Sequence, residues 1–501
     1  MASRRQVLLQ GAAIGAGYLA QQMSGFQAFA QPAPARPVRR SVSELQPNDP
    51  ALQALREGVR QLKAKPASDK FNWIKLADIH GTGAGFNKCT HGNWYFLPWH
   101  RAYLLMYERL IRELTGFKDF ALPYWDWTRN PQLPTAFTQP APNPLFEARD
   151  MTATDTLPPE NVGQPVLDTI LRESPFESFG TTRPPGQNSV DQSWLRRRDG
   201  DQGTLEGNPH NNVHGLVGGV MGSSLSARDP IFFMHHCNVD RIWAVWRAAG
   251  NDDSNDPLWV GMQFKDHFFH PDGSVWSPKV SELQDYDALG YSYGIPSASL
   301  EVSATVLSFN RKLTELIVAP QGQPVNDVKT FQASNTATAT AGNPLAVPVK
   351  VSASLVAATA RRAPGQGSGT DLLNFSVARE RAVSKTRAYA FIRDIDLKNE
   401  QKSQYRVFID CDYLGQATSI ADRHYVGTFG FFGDHGGHGA DNAKPSVAVD
   451  LTTAIERLYG SVAEAPETLK VQILPVPRGR TSVAQTGSAK PSRVEVAFVA
   501  P

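Results

Sequence analysis

Apolar residues recur at three- and four-residue spacing in two long segments, Trp99 to Leu114 and Ile231 to Ala249, as in a helix that buries one face or its whole circumference. Helical patterning begins at about Pro50, and residues 50–250 read as mainly helical. Residues 130–202 are rich in Pro, Thr and polar side chains with little periodicity, which predicts long loops with short helices. Loops of that length in a compact domain usually wrap a site. From Ser297 the texture changes: short β-branched runs, Val302 to Leu307 and Val347 to Val351, alternate with Ala/Thr/Gly/Pro stretches such as Ala333 to Gly342 and Arg362 to Gly369. The second of these stretches reads as a linker. Ala388 to Asp394, Tyr405 to Asp410, Tyr425 to Phe431, Leu469 to Leu474 and Val494 to Val499 then read as strands separated by turn signals, the spacing of a small all-β sandwich. The expected architecture is multidomain, with a mainly α-helical domain over 31–295, a connector over 296–370 and a β domain over 371–501.

The N-terminus has a pattern of its own. Ser3-Arg4-Arg5-Gln6-Val7-Leu8-Leu9 precedes a weakly apolar stretch, Gly11 to Ala20, and then Ala28-Phe29-Ala30, a small-x-small cleavage site. Residues 1–30 resemble a bacterial twin-arginine export signal. The apolar run is shorter than the roughly 20 residues of a membrane-spanning helix. The expectation is passage through the twin-arginine machinery to the periplasm or the medium, with no membrane anchor. Pro32 to Arg40 reads as an exposed arm. Over the whole chain 50 Lys and Arg balance 48 Asp and Glu, which leaves no basic surface for nucleic acid or anionic lipid. Three cysteines, Cys89, Cys237 and Cys411, are too few for a disulfide framework and form no thiolate zinc pattern, so a metal must use other ligands.

Histidine supplies them. Seven of the 12 histidines fall in two groups, His80, His91 and His100, then His210, His214, His235 and His236. His210 and His214, four apart, lie on one face of a helix and can share a metal. His100 shares a stripe with Leu104, Tyr107 and Ile111, His236 with Asp240 and Trp243, and His80 ends a short helix in register with Trp73 and Leu76. Burying so many imidazoles without a common task would strand donors and acceptors. An all-imidazole set suits copper, zinc, iron or nickel, and three His on each of two metals is the simplest division. Asp229, Asp240 and Glu206 are spaced as supporting or catalytic groups rather than as bridging ligands. Asp434-His435-Gly436-Gly437-His438 reads as a weak metal-binding loop or as a Gly-rich turn.

These residues resemble the type-3 copper proteins, which comprise tyrosinases, catechol oxidases and haemocyanins. The likeness rests on His80, Cys89-Thr90-His91 and Leu97-Pro98-Trp99-His100-Arg101, then His210-Asn211-Asn212-Val213-His214 and Asp229-Pro230-Ile231-Phe232-Phe233-Met234-His235-His236-Cys237-Asn238-Val239-Asp240-Arg241. Leu122-Pro123-Tyr124-Trp125-Asp126-Trp127 and Tyr291-Ser292-Tyr293 extend it. It is closest to the tyrosinase and polyphenol oxidase branch and implies a dicopper centre in a four-helix bundle. His80, His91 and His100 would hold one copper and His210, His214 and His236 the other, with His235 and Asp240 in support. Cys89 would form a thioether to His91, while Cys237 and Cys411 are structural.

Glu206 and Asn211 resemble the pair that holds a basic water in members active on monophenols. Such a base is needed because a phenol, with a pKa of about 10, must lose its proton first. Ser223-Ser224-Leu225 stands where plant enzymes often carry a bulky Phe, which predicts an open site. Tyr405 to Asp410 and Tyr425 to Phe429 resemble strands of the plant-type C-terminal domain that covers the cleft and keeps the enzyme latent. The implied activity converts small monophenols to o-diphenols and these to o-quinones with O2 as co-substrate. A catechol or o-aminophenol oxidase and an oxygen carrier are the alternatives.

Overall fold

The computed structural model describes residues 36–140, 142–295, 304–318, 325–361, 383–432 and 444–501. The export-signal reading and the Asp434–His438 loop lie outside them, as does the Arg362–Gly369 linker.

The helical core is built from five named helices. Helix α1 (Pro50–Ala64) begins where the Asp49 carboxylate accepts the Ala51 N–H at 2.9 Å and Pro50 presets the first helical turn. Asn72 caps α2 (Trp73–Asp78) in the same way. Helix α3 (Phe96–Thr115) is buried over most of its circumference, carries His100, and packs between α1 and α5. Helix α4 (Asn211–Val217) carries His214 and α5 (Ile231–Ala248) carries His235 and His236. Asp229 starts α5 by accepting the Ile231 N–H at 3.0 Å while gripping Arg149 through two 2.7 Å bonds. Residues 130–202 form loops with short helical turns, such as Gln164–Arg172 and Gln192–Arg196.

A buried ion cluster locks α3 to α5. Asp240 accepts from Arg101 Nε at 2.6 Å, Arg39 Nη1 at 3.1 Å, and the hydroxyls of Tyr291 and Tyr293 at 2.7 and 2.6 Å. Arg39 also donates to Glu108 on α3 at 2.9 Å. Burial pushes the Asp240 carboxyl up, but the Arg101 and Arg39 guanidiniums outweigh it and hold the group below the usual carboxylate range. The end of the expected exposed arm is therefore corrected: Arg39 is buried, and the Arg39 N–H bonds to the Ser292 carbonyl at 2.8 Å. Two acidic partners inside the core outweigh the solvation of one guanidinium.

The C-terminal region is a β-rich sandwich. One sheet has the order β6-β5-β8-β3 and is antiparallel throughout, from β3 (Leu345–Lys350), β5 (Ser403–Ile409), β6 (Tyr425–Gly430) and β8 (Thr468–Pro477). The other has the order β1-β7-β4-β9-β2, from β1 (Asp201–Gln202), β2 (Val328–Ser334), β4 (Arg387–Arg393), β7 (Ser446–Asp450) and β9 (Arg493–Val499). Strand β1 belongs to the helical region and joins β7 in parallel, so backbone pairing ties the two regions together.

Two readings of the sequence change here. The span 296–370 is not a mere connector: β2 and β3 lie within it and each closes one edge of a sheet. Their short alternation among Ala, Thr and Gly leaves little apolar contrast in the sequence. Val302 to Leu307 does not form a strand where it is described, because helix α6 (Ala304–Val318) runs through it. Val306, Phe309, Leu313 and Ile317 keep helical spacing and pack on Tyr389, Phe391 and Val499. That covers the outer side of β4, which is why β4 is buried on both faces. Helices α7 (Ala353–Ala360) and α8 (Thr452–Tyr459) pack against each other beside the sandwich.

Candidate dinuclear metal centre

All seven histidines singled out in the sequence are buried, and the structure brings them together. Four rings share one arrangement. His80 Nδ1 lies 3.2 Å from the Ser224 carbonyl, His100 Nδ1 2.8 Å from Phe96 O, His214 Nδ1 2.9 Å from Met221 O, and His210 Nδ1 2.9 Å from Asn211 Oδ1. A carbonyl oxygen can only accept, so each Nδ1 carries the proton and each Nε2 keeps its lone pair. The Nε2 atoms of His80, His91, His100 and His210 are buried without a hydrogen-bond partner. His214 Nε2 and His236 Nε2 face each other at 3.2 Å. Imidazoles oriented through Nδ1 with Nε2 left bare are what a metal centre requires, and an all-nitrogen donor set of this kind fits copper.

The grouping differs from two plain triplets. Potential ligand atoms of His210, His214, His235 and His236 lie within 4.8 Å of one another, as do those of His80, Cys89 and His91. His100 stands between the groups, its ring stacked on His236 at 4.2 Å and 5.1 Å from His91. His235 does not hold a ligand or backbone by hydrogen bonding: both its nitrogens are unpartnered, and its ring packs between Trp127 at 4.8 Å and His210 at 5.2 Å. Asp240 acts at a distance, through the ion cluster that sets α5 against α3.

Burial pushes the His80 and His210 imidazoles down to about 3 and holds His91, His100, His214, His235 and His236 well below the ordinary 6.5. The native state therefore keeps these rings neutral where the unfolded chain binds protons. Metal-free protein is expected to lose stability as pH falls below about 6.5, by up to about 1.4 kcal/mol per group per pH unit. Urea midpoints measured between about pH 7 and pH 4 check this, and a flat profile would contradict buried neutral imidazoles.

Glu206 is fully buried beside the cluster. Its Oε1 accepts the Gly92 N–H at 2.7 Å and its Oε2 accepts the Thr181 hydroxyl. Gly92 has φ +58, and a Cβ there would lie 2.5 Å from the Arg198 carbonyl, so only glycine allows this approach. Burial pushes the Glu206 carboxyl up to about 7, against the opposing hydrogen bonds from Thr181 and Gly92. Asn211, expected to share a water with Glu206, is engaged elsewhere. Its Nδ2 donates to Gln202 Oε1 and to the Gly430 carbonyl, both at 2.9 Å, and its Oδ1 is held by His210. Cys89 Sγ lies 3.5 Å from His91 Nδ1, and burial pushes the thiol up to about 12.

Ser224 contacts Gly81 and the His80 ring rather than overhanging the cleft. An aromatic ring nonetheless fills the cleft, and it comes from the β region. Phe432 stacks on His214 at 3.9 Å and lies 5.4 Å from His91, 5.9 Å from His210 and 5.3 Å from Phe86. Phe432, Phe86, Thr181 and Gln202 were not legible as site residues. The one available signal was Phe432 directly after the predicted strand Tyr425 to Phe431, an apolar residue where a polar turn is the norm.

A model of the common central domain of tyrosinase matches residues 70–157 and 135–249. A tyrosinase of Hahella sp. (strain CCB-MM4) is 30% identical over 306 residues, which cover 51% of this chain and 62% of that protein. Polyphenol oxidase A1 of Vicia faba is 29% identical over 277 residues, 48% of this chain and 45% of that enzyme. The chain thus aligns with less than two thirds of the length of either relative. The structure of latent apple tyrosinase superposes with a TM-score of 0.62 at 20% identity, covering 94% of this chain and 98% of that one, and shares its fold through helical core and β-rich region alike. Residues 70–157 and 135–249, which hold the buried histidines, thus match the common central domain of tyrosinase, and over about half its length the chain is similar to a bacterial tyrosinase and to plant polyphenol oxidases.

Proposed function

We propose that the protein is a latent tyrosinase, which uses O2 to convert small monophenols to o-diphenols and these to o-quinones. The observation that carries this reading is the set of bare, buried Nε2 atoms of His80, His91, His100 and His210, with the buried Glu206 carboxylate bonded to the Gly92 N–H next to His91. In this proposal His80, His91 and His100 hold one copper and His210, His214 and His236 the other. The copper pair supplies O2 binding and the redox chemistry at the phenol ring. The chain supplies orientation and proton handling. Carbonyls of Ser224, Phe96 and Met221 fix the ring tautomers, and Trp127 and His235 pack behind them. Glu206, as its carboxylate, takes the phenol proton through a water. In the same proposal the Cys89 sulfur bonds to a carbon of the His91 ring, the S–H and ring C–H hydrogens and two electrons passing to O2, and the crosslink stops the ring's rotation. Export by the twin-arginine route, with the metal already in place, belongs to the same proposal.

Latency rests on Phe432, whose ring occupies the space a phenol ring needs next to His214. The β region is held down by Arg387 against Glu173 at 3.3 Å, Arg406 against Glu160 at 2.7 Å, and Arg478 against Asn212 at 2.9 Å. The test is oxygen uptake by copper-loaded protein, before and after brief proteolysis, with tyramine and with 4-methylcatechol. Phe432→Ala in the intact chain is expected to raise catechol oxidation at least about 10-fold without proteolysis, the scale of opening a blocked site. No change on either treatment would remove the plug reading.

A second reading, a catechol oxidase without hydroxylation, is favoured by one observation: the Asn211 amide is spent on Gln202 and Gly430. Turnover of the catechol alone after proteolysis would select it. Oxygen binding without turnover of either phenol would select the oxygen carrier.

A further inference from the structure

We propose that Arg198 is a specificity residue that receives a carboxylate on the phenolic substrate, so that the cleft prefers phenolic acids to neutral phenols. The proposal rests on the tyrosinase reading of the cleft and names its substrate class. Arg198 sits in the wall beside His91 and is fixed there. Asn93 Nδ2 donates to the carbonyls of Trp194 at 2.8 Å and Arg197 at 3.0 Å, and the Gly200 N–H donates to the Gly92 carbonyl at 2.9 Å. These bonds clamp the segment that carries Arg198 to the turn that carries His91.

The guanidinium carbon lies 4.5 Å over the Phe86 ring. That ring is 4.6 Å from His91, 5.4 Å from His80 and 5.3 Å from Phe432. Phe86 is thus the common neighbour of the guanidinium, the metal-side imidazoles and the ring that fills the cleft. A phenol ring lying where Phe432 lies would have Arg198 within the span of a side chain of a few carbons. Arg198 Nη1 is buried and has no hydrogen-bond partner. A buried donor left unmade is costly, and a carboxylate is its best-matched acceptor. The charge is felt in the site: Arg198 lowers the Cys89, Glu206, His80 and His91 pKa values, in each case against or beside the larger effect of burial. The same guanidinium would attract an approaching anion.

The test uses the full chain carrying Phe432→Ala, with and without Arg198→Gln or Arg198→Lys. Binding of 3-(4-hydroxyphenyl)propionate and of the neutral 4-ethylphenol to the metal-free protein is measured by calorimetry. With copper, kcat/KM is measured on 3-(3,4-dihydroxyphenyl)propionate and 4-ethylcatechol. The expected result is an acid-to-neutral ratio, in binding and in kcat/KM, that falls about 10- to 100-fold in the Gln variant, the loss of one charge-assisted hydrogen bond. The Lys variant, which keeps the charge, should recover part of the ratio. Equal loss for acid and neutral compounds, or an unchanged ratio, overturns the proposal. Absence of catechol turnover in a chain that still binds the acid through Arg198 would count against the tyrosinase reading and not against Arg198.

Discussion

Glu206→Gln, in protein with the β region displaced, is expected to lower kcat on tyramine by about 10²- to 10⁴-fold, while catechol oxidation changes by less than about 3-fold. The reason is a difference between substrates. A catechol delivers two acidic hydroxyls to the metals, whereas a monophenol must lose its proton within the site. Glu206 is a buried carboxylate near the imidazoles, and glutamine keeps its shape and can accept the Gly92 N–H through its oxygen while its NH2 donates to the Thr181 hydroxyl, which is free to donate to the Gly180 carbonyl, so that basicity is what the change removes. The wild-type pH profile follows with a definite sign. A carboxyl pushed up to about 7 by burial must ionise before it can accept a proton, so monophenol turnover rises with pH through that range. Two copper ions, bound as proposed, would pull the midpoint lower, so the rise is expected at or below about 7. In the Gln variant the residual rate should be flat over the same range. Steady-state kinetics on both substrates between about pH 5 and pH 9 measure this, and undiminished tyramine hydroxylation would strip Glu206 of its role.

The second large effect is expected far from the imidazoles. Asp240→Ala should destabilise the protein by about 3–5 kcal/mol, because it leaves two buried guanidiniums short of their shared counter-charge. Arg101 keeps the carbonyls of Leu283 and Gln284 at 2.8 and 3.0 Å, and Arg39 keeps Glu108, but neither is then neutralised as before. Asp240 lies one turn beyond His236 on α5, so the change should also loosen the second metal group. Denaturant unfolding measures the stability, and copper retention during dialysis measures the coupling to the site. Copper retention at the wild-type level in a destabilised variant would separate the ion cluster from the metal centre.

The contrast between Glu206 and Asn211 shows where sequence reasoning stops. Both were singled out by their distance from His210, and the chain does place both at the cleft. Sequence spacing constrains the backbone, since residues four apart on a helix share a face. It does not say which partners compete for a side chain. Asn211 is claimed by Gln202 and Gly430, one of them 219 residues away in sequence. Phe432 is a sharper case, since an apolar residue after a strand reads as ordinary packing until the strand is known to end over His214.

By itself the sequence determined the chemistry of the centre and the local elements that carry it. The His residues, the helices beneath them and the strands of the β region all rest on periodicity and residue type, which act over a few residues. Tertiary structure alone decided what joins those elements. It set the pairing of β1 with β7, the incorporation of β2 and β3 into opposite sheets, and the burial of Arg39 between Glu108 and Asp240. It also set which nitrogen of His80, His100 and His210 stays bare. The physical reason is common to all of these: burial and hydrogen-bond completion are settled by whichever groups the folded chain brings within reach, not by neighbours in sequence.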